Sequence, residues 1–214
     1  MKLYLVRHGE TTYNADGRVQ GHQDPPLTDI GIRQAEAIAE RLARERFTAV
    51  YSSDLQRASE TAKLIAAPHG LAVRETPLLR ESRLGVVEGL TRREIEERYP
   101  TADHEWRANP LTMRPPGAET IEQVIERCRT FLQQILSDHE DSGLILIVAH
   151  GGSARGLVIA ALDLPVQTYR QMHFANASLS ILDAGDRPAL WLLNDTCHLD
   201  AIRTDEEEID SIAH

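Results

Sequence analysis

Along the chain, short continuous apolar runs alternate with longer segments in which apolar residues recur every three or four positions. Leu3 to Val6 is an apolar run of the length of a buried strand, and a loop rich in Gly, Asn, Asp and Pro follows from Gly9 to Pro26. Thr28 is placed to cap a helix whose Ile30, Ala35, Ile38, Ala39 and Leu42 fall at helical spacing. Ala49 to Ser52 reads as a second strand, and Asp54 to Ala67 as a helix ended by Pro68 and Gly70. Val73 and Leu78-Leu79 predict short extended pieces. Further on, Glu119 to Leu136 carries a long amphipathic helix and Leu144 to Ala149 the most apolar strand. Ser153 to Leu162 predicts a helix, and Leu179–Leu182 and Leu190–Leu193 a late strand pair.

Strands alternating with helices predict an α/β fold, a three-layer α/β/α sandwich around a mostly parallel central sheet. The texture changes from Thr91 to Gly117, where Arg- and Glu-rich short helices give way to Pro110, Pro115 and Pro116. We therefore expect one domain over 1–214 with a small helical cap inserted at about 86–118. Asp205 to Asp210 reads as a solvated acidic tail.

Composition narrows the partners. With 214 residues, 42% hydrophobic and 26% charged, the chain is long enough to bury a full core without a disulfide or metal staple. Lys+Arg number 23 against 33 Asp+Glu, a net charge of −10, which disfavours nucleic acid and anionic membrane surfaces. Lys2 and Lys63 are the only lysines; every other basic residue is arginine, the side chain that forks onto phosphate and carboxylate oxygens. Cys128 and Cys197 are too few for a disulfide framework or a metal knuckle, and read as reduced packing residues. No apolar stretch approaches the ~20 residues of a membrane span, and the chain opens directly on a strand, so a cytoplasmic location is expected.

Several chemistries find no motif here. The sequence holds no Gly-x-x-x-x-Gly-Lys-Ser/Thr, no His-Glu-x-x-His and no Gly-x-Gly-x-x-Gly, and in Gly151-Gly152-Ser153-Ala154-Arg155 an arginine stands where a serine-hydrolase elbow needs its second glycine. None of the nine histidines is spaced as a metal-ligand pair, so no metal and no cofactor is expected. Instead, two histidines close two strands: His8 in Val6-Arg7-His8-Gly9, and His150 in Val148-Ala149-His150-Gly151. Ligands of open α/β sheets bind beyond the carboxyl ends of the strands, so both imidazoles should face one crevice. The glycine after each would let backbone N–H groups approach an anion. Arg57, in the first turn of the helix after the second strand, points a guanidinium the same way. Glu81 sits between an extended piece and the turn at Gly85.

These residues carry a resemblance. Leu5-Val6-Arg7-His8-Gly9-Glu10-Thr11 with Asn14 resembles the signature of the histidine phosphatase superfamily, the phosphoglycerate-mutase-like proteins. Gly17-Arg18-Val19-Gln20-Gly21, Tyr51-Ser52-Ser53-Asp54-Leu55 with Arg57, Leu79-Arg80-Glu81 with Gly85, and Val148-Ala149-His150-Gly151-Gly152 resemble its further blocks, in the family's order. The resemblance implies phosphoryl transfer to His8 as nucleophile, with Arg7, Arg57 and His150 as a cationic clamp on the phosphoryl oxygens. Asn14, Gln20, Gly21 and Gly151 would complete the phosphate site, and Glu81 would be general acid and base. No divalent metal is then needed.

The compact stretch from Ser82 to Ala149 favours hydrolysis over a mutase, which is the main alternative; a non-catalytic phosphate-binding scaffold is the second. Scaffolds of this fold usually lose the nucleophile or the acid, and here both remain. Leu193 to Leu199 resembles the close of the metal-independent phosphoserine phosphatases, which tend to carry a histidine where this chain has Leu84. Phosphosugars, phosphoglycerate derivatives and α-ribazole phosphate therefore stand beside phosphoserine as candidate substrates. Arg114 in the cap, placed to hold a substrate carboxylate, and His198 are further candidate substrate residues. The expected partner is a small phosphorylated metabolite, with a homodimer left open.

Overall fold

A computed structural model describes residues 1–109, 111–139 and 143–202. Six strands form one sheet in the order β3-β2-β4-β1-β5-β6. β1 (Lys2–Arg7), β2 (Ala49–Ser53), β3 (Val73–Thr76) and β4 (Leu144–Ala149) are mutually parallel; β5 (Leu179–Asp183) runs antiparallel to β1, and β6 (Ala189–Asp195) antiparallel to β5.

The continuous apolar runs have two faces to fill. Leu3 and Leu5 of β1, Tyr51 of β2, and Ile145 and Ile147 of β4 pack under α6 (Ile121–Asp138) and α7 (Gly151–Leu162). The alternate residues Val6, Val50, Leu146 and Val148 pack under α2 (Asp29–Leu42) and α3 (Gln56–Ala66). Alternation along a strand thus generates three layers, and the chain is a mixed α/β fold of the expected class. Thr28 caps α2 through Gly31 N, and Thr120 forms a capping box with Gln123 at the start of α6.

The details depart from expectation in three places. The Gly9–Pro26 loop contains one short helix, α1 (Thr12–Ala15), closed by a Thr11–Asn14 capping box. Leu78-Leu79 is not extended: Pro77 opens a 3₁₀ turn over Pro77–Leu79, and Thr76 Oγ1 accepts from Leu78 N. α7 begins at Gly151 rather than Ser153, directly after His150, because Ser153 Oγ accepts from His150 N and closes the first turn. The acidic tail at 205–210 lies outside the described residues. Among the described residues no helix is long and apolar enough to cross a membrane.

The segment between Leu84 and Ala118 leaves and rejoins the sheet body through a narrow neck. Leu84 and Ala118 form an isolated antiparallel bridge, and Gly85, at φ 64°, packs on the backbone of Pro116 and Gly117. Between these points α4 (Arg92–Arg98) and α5 (Pro100–Ala108) close over their own small cluster of Val87, Leu90 and Ile95, flanked by Tyr99 and Trp106.

Candidate active site

The sheet places the two histidines side by side. β1 and β4 are parallel neighbours with Arg7 paired to Ala149, and His8 N donates to Ala149 O at 3.0 Å. Each strand therefore ends at the same level, and the rings of His8 and His150 lie 5.0 Å apart, centroid to centroid, at 60°. Both are buried, and their chain neighbours Arg7 and Gly151 line a cleft of about 440 Å³, together with Asn14, Gln20, Gly21 and Glu81 on the sheet side and Trp106, Met113 and Arg114 on the cap side.

The hydrogen bonds assign both tautomers. His8 Nδ1 lies 2.7 Å from its neighbour's carbonyl, Gly9 O, which can only accept; Nδ1 carries the hydrogen and Nε2 keeps its lone pair. At His150 the pattern inverts: Arg57 Nε donates to His150 Nδ1 at 3.2 Å, so the hydrogen sits on Nε2, buried and without a partner among the described residues. Burial, reinforced by the Arg57 and Arg7 charges, holds His8 well below the usual histidine range. The same causes, burial first and then Arg57, hold His150 down. The expectation of a cationic His150 is thereby corrected. The ring is a neutral donor, because one nitrogen already accepts from a guanidinium and the ring is fully buried.

Arg57 is fully buried and nearly saturated. Besides His150 Nδ1, it donates from Nη1 to Gln23 O at 2.7 Å and to Asp24 Oδ1 at 3.2 Å, and from Nη2 to Gly21 O at 2.9 Å. It therefore stitches the loop at 21–24 to the second histidine while keeping its charge in the floor. Arg7 Nη1 donates to Phe174 O at 2.6 Å.

Glu81 lies against the N-terminus of α7, where helix N–H groups lack intrahelical partners. Its Oε1 accepts from Ser82 N at 2.6 Å and Gly152 N at 2.9 Å; Oε2 receives only the longer 3.2 Å approach of Gly152 N. A Cβ built on Gly151 would stand 3.9 Å from Oε2 and 4.0 Å from Arg7 Nε, so the acid and the first guanidinium flank one point above Gly151. A Cβ on Gly152 would displace Glu81 Oε1 and Ser82 Oγ, so a side chain there would disturb the seat of the carboxylate.

The remaining candidates divide. Asn14 Oδ1 accepts from Thr11 N, Thr11 Oγ1 and Asn176 Nδ2, which turns its NH₂ outward as a donor. Gln20 buries Oε1 with no partner among the described residues; turning the amide over presents its NH₂ at that point. Gly9 departs from its expected role. Its N–H donates to Thr61 Oγ1, and a Cβ on it would strike the backbone of Gly31, so this glycine admits α2 to the sheet rather than an anion to the loop. His198 lies outside the cleft lining. Its Nδ1 accepts from Arg41 Nη1 and its Nε2–H donates to Ala177 O, each at 3.0 Å. Ala177 N in turn donates to His8 O at 3.1 Å, so His198 braces the loop beneath His8 from behind.

Other supports carry no sequence signal of their own. His22 Nε2–H donates to Glu81 O at 2.9 Å, and Arg127 Nη2 to the same oxygen at 3.2 Å. The buried Tyr169 hydroxyl donates to Gly152 O at 3.0 Å and lies 3.1 Å from Ser82 Oγ. Burial and the Glu81 charge raise the Tyr169 phenol to about 12, so it stays a neutral donor.

An arrangement of two imidazoles, a guanidinium and a carboxylate around one point suits transfer of a phosphoryl group, and known proteins are similar to this chain. The chain is 38% identical to a protein of Yersinia pestis named "probable phosphoglycerate mutase", over 96% of this chain and 98% of that one. It superposes on a mycobacterial glucosyl-3-phosphoglycerate phosphatase with a TM-score of 0.84 at 34% identity, covering 91% of this chain and 99% of the other. With the α-ribazole phosphatase of Shigella flexneri the TM-score is 0.84 at 30% identity, covering 91% and 96%. The model of the histidine phosphatase superfamily (branch 1) matches residues 3–196. That match spans nearly the whole chain, and the chain belongs to the histidine phosphatase superfamily.

Proposed function

We propose that the protein hydrolyses small phosphomonoesters through a phosphohistidine on His8, without a metal. The observation that carries this reading is the state of His8. Its Nδ1–H is fixed on Gly9 O and its ring is held neutral, so Nε2 offers a lone pair at pH 7 with no proton to remove first.

His8 Nε2 attacks phosphorus in line as the P–O bond to the leaving group breaks. Negative charge spreads over the three non-bridging oxygens, and stabilising it is the main catalytic task. Arg7 and Arg57 supply positive charge, and His150 Nε2–H and the Asn14 amide supply neutral donors. Glu81 Oε2, the less engaged oxygen, gives a proton to the departing alkoxide. Water then enters from the vacated side, Glu81 recovers the proton, and P–N cleavage returns His8 neutral with inorganic phosphate as product.

The two solved structures compared above are named as phosphatases, whereas the relative from Yersinia pestis is named as a probable mutase. A mutase is therefore the second reading. One experiment separates them: phosphomonoesters are assayed in excess chelator for phosphate release, and 3-phosphoglycerate for conversion to the 2-isomer. We expect phosphate release that survives chelation, with an acid-labile phosphoprotein trapped by rapid quench in wild type and absent in His8→Ala. Isomer conversion outpacing release selects the mutase; activity lost in chelator and restored by Mg²⁺ or Zn²⁺ overturns the metal-free mechanism.

A further inference from the structure

The loop at 20–24 is gripped on both sides of its central residue. Arg57, fully buried, donates from Nη2 to Gly21 O at 2.9 Å and from Nη1 to Gln23 O at 2.7 Å, the carbonyls of the two residues that flank His22. Asp24 completes the hold: its carboxylate accepts from Gln56 N and Arg57 N, in the first turn of α3, where helix N–H groups lack intrahelical partners. Gln20 and Gly21 line the cleft, and His22 is not part of that lining. The loop that faces the cleft is therefore fixed to the charge of the floor, with one imidazole left to reach elsewhere.

It reaches the acid. His22 Nε2–H donates to Glu81 O at 2.9 Å, since a carbonyl can only accept. A second donor to the same oxygen, Arg127 Nη2 at 3.2 Å, comes from α6 and also holds Leu78 O and Glu119. At the carboxylate end Gly152 N comes from α7, while Ser82 N belongs to the next residue and moves with Glu81. The two helices thus place Glu81 against the sheet, and His22 places it against the loop that the clamp holds. Proton transfer to a leaving oxygen depends on that second relation. The donor has to stand within hydrogen-bond reach of an atom whose position the clamp decides.

We propose that His22 is a positioning residue, which holds Glu81 in register with the Arg57 clamp while touching no reacting atom. This rests on the reading of Glu81 as general acid and deepens it. Arg57 keeps its bonds to Gly21 O and Gln23 O without the imidazole, so loss of His22 should spare the clamp and fall on the proton donor.

The test is the single-turnover rate of His8 phosphorylation by two substrates. Glycerol 3-phosphate expels an alkoxide that needs a proton; p-nitrophenyl phosphate expels a phenolate that leaves unaided. His22→Leu keeps bulk without a donor, and His22→Gln keeps an N–H donor on a side chain of similar length. His22→Leu should slow glycerol 3-phosphate about 10-fold and leave p-nitrophenyl phosphate within about twofold, and His22→Gln should restore most of the loss. His22→Ala, with the same expectation, stands in where leucine disturbs the loop. In the His22→Leu/Glu81→Gln double variant the rate should equal that of Glu81→Gln alone, because a residue that acts through another adds nothing once that one is gone. Equal slowing of both substrates by His22→Leu, no slowing of either, or a loss that adds to that of Glu81→Gln overturns the positioning role, while a Glu81→Gln loss confined to the alkyl ester still supports the acid. Equal slowing of both substrates by Glu81→Gln overturns the acid itself, and the positioning role with it.

Discussion

At the sheet side of the cleft, Arg57 donates to three carbonyl or carboxylate oxygens and one imidazole; across from it, Arg114 buries an Nε with no acceptor among the described residues. Both are arginines lowered by burial. The difference lies in what their bonds hold. The floor is assembled before any ligand arrives: parallel strand ends set the histidines, the floor guanidinium fixes the loop, and the N-terminus of α7 fixes the carboxylate. Such preorganisation is what lowers a barrier, because no dipole has to reorient as charge develops. The cap leaves donor capacity open, which suits recognition.

Variants can break this contrast. The largest effect should come from Glu81→Gln, which removes a proton from the leaving-group side without changing shape. Alkyl phosphates should slow by ~10² to 10⁴-fold. Phosphorylation of His8 by p-nitrophenyl phosphate, whose phenolate leaves unaided, should suffer far less. Single-turnover rates on both substrates decide, and equal losses would reduce Glu81 to a positioning residue.

Next in size is Arg57→Gln. It strips donors from Gly21 O, Gln23 O and His150 Nδ1, and should cost on the order of 3 kcal/mol in urea unfolding together with a fall in kcat. Arg114→Gln should stay within about 0.5 kcal/mol of wild type. If the two variants lose stability equally, the contrast between floor and cap fails.

A further test of the floor uses acid. His8 and His150 are held below the ordinary 6.5, so the unfolded chain binds their protons more readily than the folded one. Their contribution to stability is complete above that value and is lost as pH falls toward the folded pKa values, by up to about 1.4 kcal/mol per pH unit for each ring. His198, lowered by burial and Arg41, adds to the same limb. Urea midpoints between pH 7 and 5 should fall in wild type and flatten in the His8→Asn/His150→Asn double variant; a flat wild-type profile would place charged rings in the floor.

The sequence carries the floor better than its supports. The runs Leu3–Val6 and Leu144–Ala149 specify buried parallel strands, and a histidine at the end of each is enough to bring the two together. Nothing in local spacing brings Tyr169 to Ser82, 87 residues away, or His198 to the loop under His8. Such contacts depend on how α7 and the last strands wrap the sheet. The glycine after His8 misleads for a related reason: its neighbour is Gly31 on α2, and a close approach between elements leaves no periodic mark. Arg114 is legible only as a cation among prolines, since its lack of a partner is a property of the packed cap.

The neck at Leu84 and Ala118 bears on how such a protein can be re-engineered. The neck is closed across its own base, where Val86 N meets Pro116 O at 3.1 Å and Glu119 N meets Arg83 O at 2.9 Å, and the segment meets the loop where Val19 and Gly89–Leu90 exchange backbone bonds of 2.7 and 2.9 Å and Arg18 bonds Gly89 O and Glu94. The four main-chain bonds are indifferent to the side chains they carry, whereas the Arg18 pair requires Glu94. A foreign segment that keeps glycine at 85, 89 and 117, where φ is positive, and keeps Glu88 beneath Gly21 has the backbone geometry to be grafted in. Replacing that segment would leave the paired strand ends that carry His8 and His150 as they are.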